Sequence, residues 1–428
     1  MKILVIGGGG REHVIIKKLR ENPRISKIYA MPGNGGIEGE AQCLPGKSVD
    51  SKAALAYIQE YGVDFAVVSP DDPLVQGMAD SIRAFGIPAF GPSAKAARLE
   101  GSKVFSKRLM AKYNIPTASC EVFDDVDSAL DYIRSRKRYP VVIKADGLAL
   151  GKGVFIAQNE DEAGKALRRI MEERIFGESG NRVVIEEFLE GPEVTVLAFT
   201  DSKTIVPLPS SMDHKRAGDG DSGSNTGGMG VISPNPCYTE EMAELCMKTI
   251  FLPTIDAMNR EGSPFKGCLY FGLMLTGAGP KVIEYNCRFG DPEAQAVLPF
   301  LETDLLSIMQ AVEEERLAEI EVRCRSGASC CLVLASGGYP ETYRTGFPVT
   351  GLEKVSQKNT WIFHAGTALE DGIVSAGGRV LGITVFADDL KAAVDGAYRE
   401  AEKIRFEGMY YRKDIGKKAM EWLYTGSM

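Results

Sequence analysis

The sequence predicts a multidomain protein of mixed α/β and α+β class that opens on a parallel-sheet domain. Three observations predict it. Residues 1 to about 100 alternate short apolar strands with helical segments, the pattern of a parallel sheet covered by helices. The middle of the chain replaces that alternation with strand–glycine loop–strand units and one long polar loop. From about residue 325 the pattern changes again, to a small α+β unit. A chain of 428 residues has room for roughly two to four domains.

In the first region, Ile3–Ile6, Lys27–Ala30, Phe65–Val68 and Ile87–Phe90 read as strands. Val14 to Leu19, Ala53 to Tyr61 and Pro73 to Phe85 read as helices. Ligands of such sheets sit beyond the carboxyl ends of the strands. A helix from Lys103 to Tyr113 stops at Ile115-Pro116. Tyr139 to Ala157 reads as strand, glycine loop, strand, and Arg182 to Phe188 as a further strand. Residues 210 to 236 read as a long loop, followed by a helix from Glu240 to Met258 and strands at Leu269–Leu275 and Val282–Phe289. Cys330–Ala335 and 378–385 read as strands of the last unit, with a helix from Leu390 to Ile404.

Composition narrows the function. The net charge of −8 disfavours nucleic acid or an anionic membrane as a general partner. Nine cysteines, an odd number without a Cys-x-x-Cys pair, argue against a disulfide framework or zinc knuckle and for reduced thiols. The start of the chain carries no signal-peptide pattern, and no apolar run reaches membrane-spanning length. A cytoplasmic protein is expected, with neither nucleic acid nor membrane as partner, and acting as a monomer.

The most informative segment is Lys281 to Gln295. Alternation along a strand puts Glu284, Asn286 and Arg288 on one face and Ile283, Tyr285, Cys287 and Phe289 on the other. A carboxylate, a carboxamide oxygen and a guanidinium in one row suit a polyphosphate with its Mg²⁺, a cation commonly held by one or two protein groups plus phosphates. The guanidinium can grip a carboxylate or phosphate in a bidentate fork. Lys144 ends an apolar strand beside the glycine loop 147–153, where it can neutralise phosphates while the loop closes. Gly153 stands where a Walker motif requires a hydroxyl. Gly7 to Gly10 suit a phosphate-binding turn between strand and helix. The third glycine of a dinucleotide fingerprint is missing, because Glu12 or His13 occupies its place. The strand-to-turn segment from Glu186 to Glu193 can meet an adenine edge and ribose hydroxyls. The loop 214–230, with His214, Lys215, Arg216 and six glycines, reads as a clamp for a substrate anion. The three histidines are far apart in sequence, and no metal-spaced His/Cys cluster or nucleophile elbow appears.

In this order the segments resemble the ATP-grasp superfamily, and within it the glycinamide ribonucleotide synthetase family. The resemblance rests on 7–13, Lys-Ala-Asp-Gly-Leu-Ala at 144–149, 213–221, Asn-Thr-Gly-Gly-Met-Gly at 225–230, Arg-Phe-Gly-Asp-Pro-Glu at 288–293 and Tyr-Arg-Lys-Asp-Ile-Gly at 411–416. It implies an N-terminal pre-ATP-grasp domain at 1–102, an ATP-grasp domain at 103–324 with a mobile lid at about 121–189, and a C-terminal α+β domain at 325–428. It implies ATP-dependent joining of glycine to 5-phosphoribosylamine, with Mg²⁺ or Mn²⁺ held by Glu284 and Asn286. Lys103 and Lys144 are implied at the ATP phosphates under the loop Gly151-Lys152-Gly153. Glu186 and the Leu189 backbone are implied at adenine, Glu193 at ribose, and Lys215 at the nucleotide as well. Asp213, Lys215, Arg288, Asp291 and Glu293 are implied in the acceptor pocket, with Gly8, Gly9 and Gly10 reaching phosphoribosylamine. Arg288, Lys144 and Asp213 are the implied catalytic groups. Asp71 stands where the family carries a glutamate that meets the amine substrate. Leu150, Ser224 and Ala294 also depart from the family pattern.

Three other readings compete. Another ATP-grasp ligase or carboxylase shares the nucleotide site. A nicotinamide dehydrogenase is disfavoured by the broken fingerprint. A non-catalytic nucleotide sensor has no need of the row Glu284, Asn286 and Arg288.

Overall fold

The computed structural model describes residues 1–149 and 153–425. Five parallel strands form the first sheet, in the spatial order Gln42–Cys43, Lys27–Pro32, Lys2–Gly7, Phe65–Val68, Ala89–Phe90. Alternation serves both faces of the first strand: Leu4 and Ile6 enter one buried cluster, Ile3 and Val5 another. The strand order reverses beside Lys2–Gly7, so the glycine turn at 7–10 opens into the crevice where such sheets bind ligands. The helix expected from Pro73 to Phe85 is two helices, Asp71–Val75 and Met78–Ala84. Gly77, at φ +83°, separates them in a left-handed conformation that a helix interior cannot hold.

A four-stranded antiparallel sheet follows, ordered Cys120–Phe123, Val183–Glu187, Val141–Ala145, Val154–Ala157. Helices Val126–Arg136 and Glu160–Met171 bury their apolar faces against it. The glycine loop between its last two strands contains residues 150–152, so the expected closing loop at Gly151 and Lys152 lies outside the described residues. The neighbouring sheet is ordered Ile205–Pro207, Glu193–Asp201, Lys266–Thr276, Gly279–Asn286. The helix expected from Glu240 to Met258 runs from Glu240 to Arg260, with a π-helical stretch at Met247–Phe251.

The last sheet draws from both sides of residue 325. Its order is Met212–Asp213, Gly230–Ser233, Ala328–Ala335, Arg379–Ala387, Thr360–His364. The segment expected as one long loop, 210–236, therefore supplies two strands here, plus a hairpin of Arg216–Gly218 and Ser222–Asn225. Glycine and polar residues hide these strands from propensity, while pairing of Gly230–Ser233 with Ala328–Ala335, and of Met212–Asp213 with Gly230–Ser233, fixes them. The buried Val231 and Ile232 are the apolar anchors. The described residues include no helix long and apolar enough to cross a membrane. The nine cysteines are free thiols.

The first and last sheets meet through two histidines that are far apart in sequence. His13, on helix Gly10–Arg20, accepts a hydrogen bond at Nδ1 from the His364 backbone N–H at 2.8 Å. Their rings lie 5.5 Å apart. Burial holds His13 below its ordinary value and pushes His364 down to about 3. His214 is buried in the last sheet's connections and is pushed down to about 4. The unfolded chain therefore binds more protons than the native state below the ordinary histidine value of 6.5. This part of the stability is complete above that value and is lost as pH falls toward the folded-state values. The thermal midpoint should hold steady from about pH 8 to 7 and fall by several degrees by about pH 5. In His364→Asn the decline should be shallower. A pH series of melting curves checks both, and a flat wild-type midpoint down to pH 5 contradicts the account.

Candidate active site

The strand Gly279–Asn286 continues in extended fashion through the bend at 287–289. Tyr285, Cys287 and Phe289 are buried, whereas Glu284, Asn286 and Arg288 are half-buried on the opposite face. The expected polar row is present. Ile283 is not on the core face as expected. Glu284 pairs with Gly272 but Val282 with Leu273, so Ile283 is the extra residue of a β-bulge. Val282 takes the core position, fully buried. The bulge turns the Ile283 carbonyl outward, where it accepts a hydrogen bond from Lys144 Nζ at 3.1 Å. The strand bearing Lys144 is thereby seated on the polar row.

Lys144 also pairs with Glu186 at 3.0 Å, and Lys107 reaches the same carboxylate oxygen at 3.1 Å. All three groups are buried. Lys107 donates further to Thr117 Oγ1 at 2.7 Å, and Thr117 donates to the Val282 carbonyl. Glu186 Oε1 is buried with no hydrogen-bond partner among the described residues. A buried acceptor without a donor is costly to leave unmatched, and an exocyclic amine would satisfy it. Lys103 donates to the Gly147 carbonyl at 2.9 Å. Burial lowers it, while Glu284 opposes that shift and Lys144 adds to it. Leu189 follows the Val183–Glu187 strand as irregular backbone. Sequence reasoning passed over Lys107, although Lys103 and Lys107 stand four apart on helix Lys103–Lys112 and so share a face.

Glu193, expected at a ribose, pairs with Lys215 at 3.1 Å, and Lys215 lies 3.9 Å from Glu284. Glu193 above all, helped by Glu284 and opposed by burial, makes Lys215 a stronger base than usual. Of the three basic residues expected as a clamp, only Lys215 faces this site. His214 is buried between the Gly230 carbonyl and the Gly416 N–H, and Arg216 donates to the Gly223 carbonyl within its own hairpin. Both serve the loop. The 411–416 segment fastens that loop from outside: buried Arg412 pairs with Asp221 and Asp414, each at 2.8 Å.

Arg288 lies 3.1 Å from Glu100 and 3.6 Å from Asp71. Its Nε is buried without a hydrogen-bond partner among the described residues. Burial would raise Asp71, but Arg288 and then Arg11 pull its carboxyl below the ordinary range. Burial pushes Glu100 up to about 7, with Arg288 pulling the other way. Glu284 would also rise by burial, yet Lys215, Lys144 and Lys103 draw it below its usual value. Glu284 is thus ionised at neutral pH. With Asn286 it forms an oxygen donor pair suited to Mg²⁺ alongside phosphates.

Asp213 and Glu293 form the other wall. Burial raises both, and Glu293 adds to the rise of Asp213. Asp213 Oδ1 has no hydrogen-bond partner among the described residues. Asp291 accepts from Gln295 Nε2 at 2.7 Å and lies 3.4 Å from Arg379, which also donates to the carbonyls of Gly227 and Asp291. Arg379 comes from the last sheet, a distance in sequence that no motif signals. A Cβ on Gly9 would lie 3.1 Å from Asp291 Oδ2, and one on Gly10 2.4 Å from Gln295 Nε2. These glycines bring the first turn against the Asp291 turn. A Cβ on Gly8 would strike the Gly33 carbonyl at 2.2 Å. The Gly9 N–H, expected for a phosphate, is taken by Glu12 at 2.6 Å in a helix-capping contact.

A lysine-bearing antiparallel sheet facing a carboxylate–carboxamide row is the arrangement of the ATP-grasp class, and comparison with known proteins agrees. Three family models match the chain: phosphoribosylglycinamide synthetase N domain over residues 1–100, its ATP-grasp (A) domain over 101–294 and its C domain over 329–418. The chain belongs to the phosphoribosylglycinamide synthetase family. The family resemblance read from the sequence is borne out. The phosphoribosylamine–glycine ligase of Caldanaerobacter subterraneus is 46% identical, over 97% of this chain and 99% of that protein. The trifunctional purine biosynthetic protein adenosine-3 of Gallus gallus is 45% identical over 99% of this chain, which spans only 42% of that longer protein. The crystal structure of phosphoribosylamine–glycine ligase from Thermotoga maritima superposes with a TM-score of 0.83 at 34% identity, covering 97% of this chain and 100% of that one. A likeness of fold alone, TM-score 0.73 at 18% identity over 96% of this chain and 91% of the other, extends to the biotin carboxylase domain of Hydrogenobacter thermophilus 2-oxoglutarate carboxylase, in complex with MgADP, ADP and bicarbonate.

Removing Lys107 leaves Glu186 with one donor fewer in a buried setting. Lys107→Met should cost about 1–3 kcal/mol of stability and raise the KM for ATP more than it lowers kcat. Melting curves and ATP-dependent kinetics check it. An unchanged KM for ATP would remove Lys107 from the nucleotide site.

Proposed function

We propose that the chain joins glycine to 5-phosphoribosylamine at the expense of ATP, through glycyl phosphate, giving glycinamide ribonucleotide, ADP and phosphate for purine synthesis. The observation that carries this reading is the seating of Lys144 on the row of Glu284, Asn286 and Arg288 through the Ile283 carbonyl. Full-length similarity to a phosphoribosylamine–glycine ligase supports it. The protein acts in this reading as a cytoplasmic monomer on small molecules alone.

Glycine's carboxylate is a poor acyl donor, because it has no good leaving group. Transfer of the γ-phosphate to it makes an acyl phosphate, whose leaving group is phosphate. The protein's share is alignment and charge neutralisation rather than covalent chemistry. Lys103 and Lys144 neutralise the phosphates, with Lys215 beside them. Glu186 Oε1 accepts from the adenine amino group, the Leu189 backbone borders the ring, and Glu193 meets the ribose once Lys215 turns to the phosphates. Mg²⁺ or Mn²⁺ held by Glu284 and Asn286 would withdraw charge from the phosphates. Arg288 offers its fork, including the Nε, to the glycine carboxylate, while Asp71 beside it meets the amine substrate. The amine of phosphoribosylamine then attacks the acyl carbon and loses a proton as the C–N bond forms. Asp213 Oδ1 stands open to receive it, and Glu293 shares the charge. Gly8 to Gly10 and Asp291 border the ribosyl group.

Glycine-dependent release of ADP, stimulated by freshly made phosphoribosylamine, tests the reading. Bicarbonate-dependent release without glycine would point to a carboxylase instead. Glu284→Ala should lower turnover by roughly 10²-fold or more, and undiminished turnover would reject its role. Arg288→Lys should raise the KM for glycine sharply, because a point charge replaces a planar fork. Unchanged catalytic efficiency with glycine would count against that assignment.

A further inference from the structure

Glu100 has no part in the chemistry above, yet it is buried directly behind the polar row. It lies in the last turn of the helix Ala94–Gly101 and reaches three consecutive residues, Asn286, Cys287 and Arg288, two of them in the row. Its Oε2 accepts the Cys287 N–H at 2.6 Å. Its Oε1 lies 3.1 Å from Arg288 Nη2. The Asn286 carboxamide, oriented so that donors meet acceptors, donates its nitrogen to the same Oε1 at 2.9 Å and to the Tyr285 carbonyl at 3.3 Å.

That last contact matters because a carboxamide has two unlike ends. Only the oxygen can ligate a hard cation. With the Cys287 N–H at one oxygen and the Arg288 guanidinium at the other, Glu100 is held as an acceptor on both sides, which draws the Asn286 nitrogen inward and leaves its oxygen turned away from Glu100. We infer that Glu100 is a positioning residue that sets the Asn286 amide oxygen toward the cation and, through the same carboxylate, aims the Arg288 fork. The inference rests on the proposed reading of Glu284 and Asn286 as cation ligands. Groups behind a metal ligand commonly act in this way.

A glutamine at 100 has one acceptor end where three donors converge. If its oxygen serves the Cys287 N–H, its NH₂ faces Asn286 and Arg288 and favours the reversed amide. The matching replacement at 286 is aspartate, which can accept from Gln at 100 with one oxygen and ligate with the other.

The test uses the full chain with Mn²⁺ and a non-hydrolysable ATP analogue, and reads free and bound Mn²⁺ by electron paramagnetic resonance. Glu100→Gln should weaken Mn²⁺ binding by about 10–100-fold. The double variant Glu100→Gln/Asn286→Asp should regain most of it, and Asn286→Ala marks the value for a lost ligand. A merely structural role for Glu100 predicts no such reciprocal rescue. Unchanged Mn²⁺ affinity in Glu100→Gln overturns the inference. So does a folded double variant that binds no better than Asn286→Ala, a comparison that stands even if the single Glu100 variant does not fold. Absence of Mn²⁺ binding by the unsubstituted protein would overturn the cation reading itself, and the role of Glu100 with it. Wild-type binding with no rescue would overturn the role of Glu100 alone.

Discussion

The site depends on one buried contact, between the Lys144 ammonium and the Ile283 carbonyl at the bulge of the polar strand. Lys144 belongs to a sheet packed on its own helices, and the polar row to another sheet with its own core. Neither sheet alone makes a nucleotide site. The bulge frees a carbonyl that the ladder would otherwise have used, and Lys144 takes it. Glu186 then balances Lys144 and Lys107 from below. An isolated buried ammonium would be expensive. Here carboxylate and carbonyl acceptors compensate it, and the cations remain placed where phosphates would approach.

Charge is distributed on a plan that follows from burial. Glu284 lies among Lys215, Lys144 and Lys103, which keep it ionised. Asp213 and Glu293, facing each other, are pushed toward holding a proton. Carboxyl groups of one cleft thus divide into an anion suited to a cation and acids suited to proton traffic. Arg288 stands between them, bordered by Asp71 and Glu100. The last sheet contributes more than a cover, because Arg379 joins the Gly227 and Asp291 backbones. The 411–416 segment holds the loop that carries Asp213 and Lys215.

Much of this was legible in the residues. Alternation from Glu284 to Phe289 named both faces of the strand, and Lys144 at the end of an apolar run named the opposing group. The first sheet followed from apolar runs spaced by helices. What could not be read has specific causes. The bulge at Ile283 depends on its register with Gly272 and Leu273, which is a property of the pair of strands. The strand at 230–233 pairs with a partner a hundred residues away, and the strand at 212–213 pairs in turn with 230–233. Lys107, Glu100 and Arg379 are charged residues of ordinary appearance whose place in the site only tertiary packing decides. The glycines at 7–10 were read as an anion cradle. Glu12, three residues on from Gly9, takes the amide instead, and its spacing already carried the capping signature.

The central claim is that this cleft passes the γ-phosphate of ATP to a glycine carboxylate oxygen. Glycine labelled with ¹⁸O in its carboxylate tests it most directly, by mass analysis of the phosphate released in a complete reaction with ATP and phosphoribosylamine. The account predicts one labelled oxygen in each phosphate, because the acyl phosphate leaves with the oxygen that bridged it. Phosphate carrying no label, formed while glycine is consumed, would contradict it.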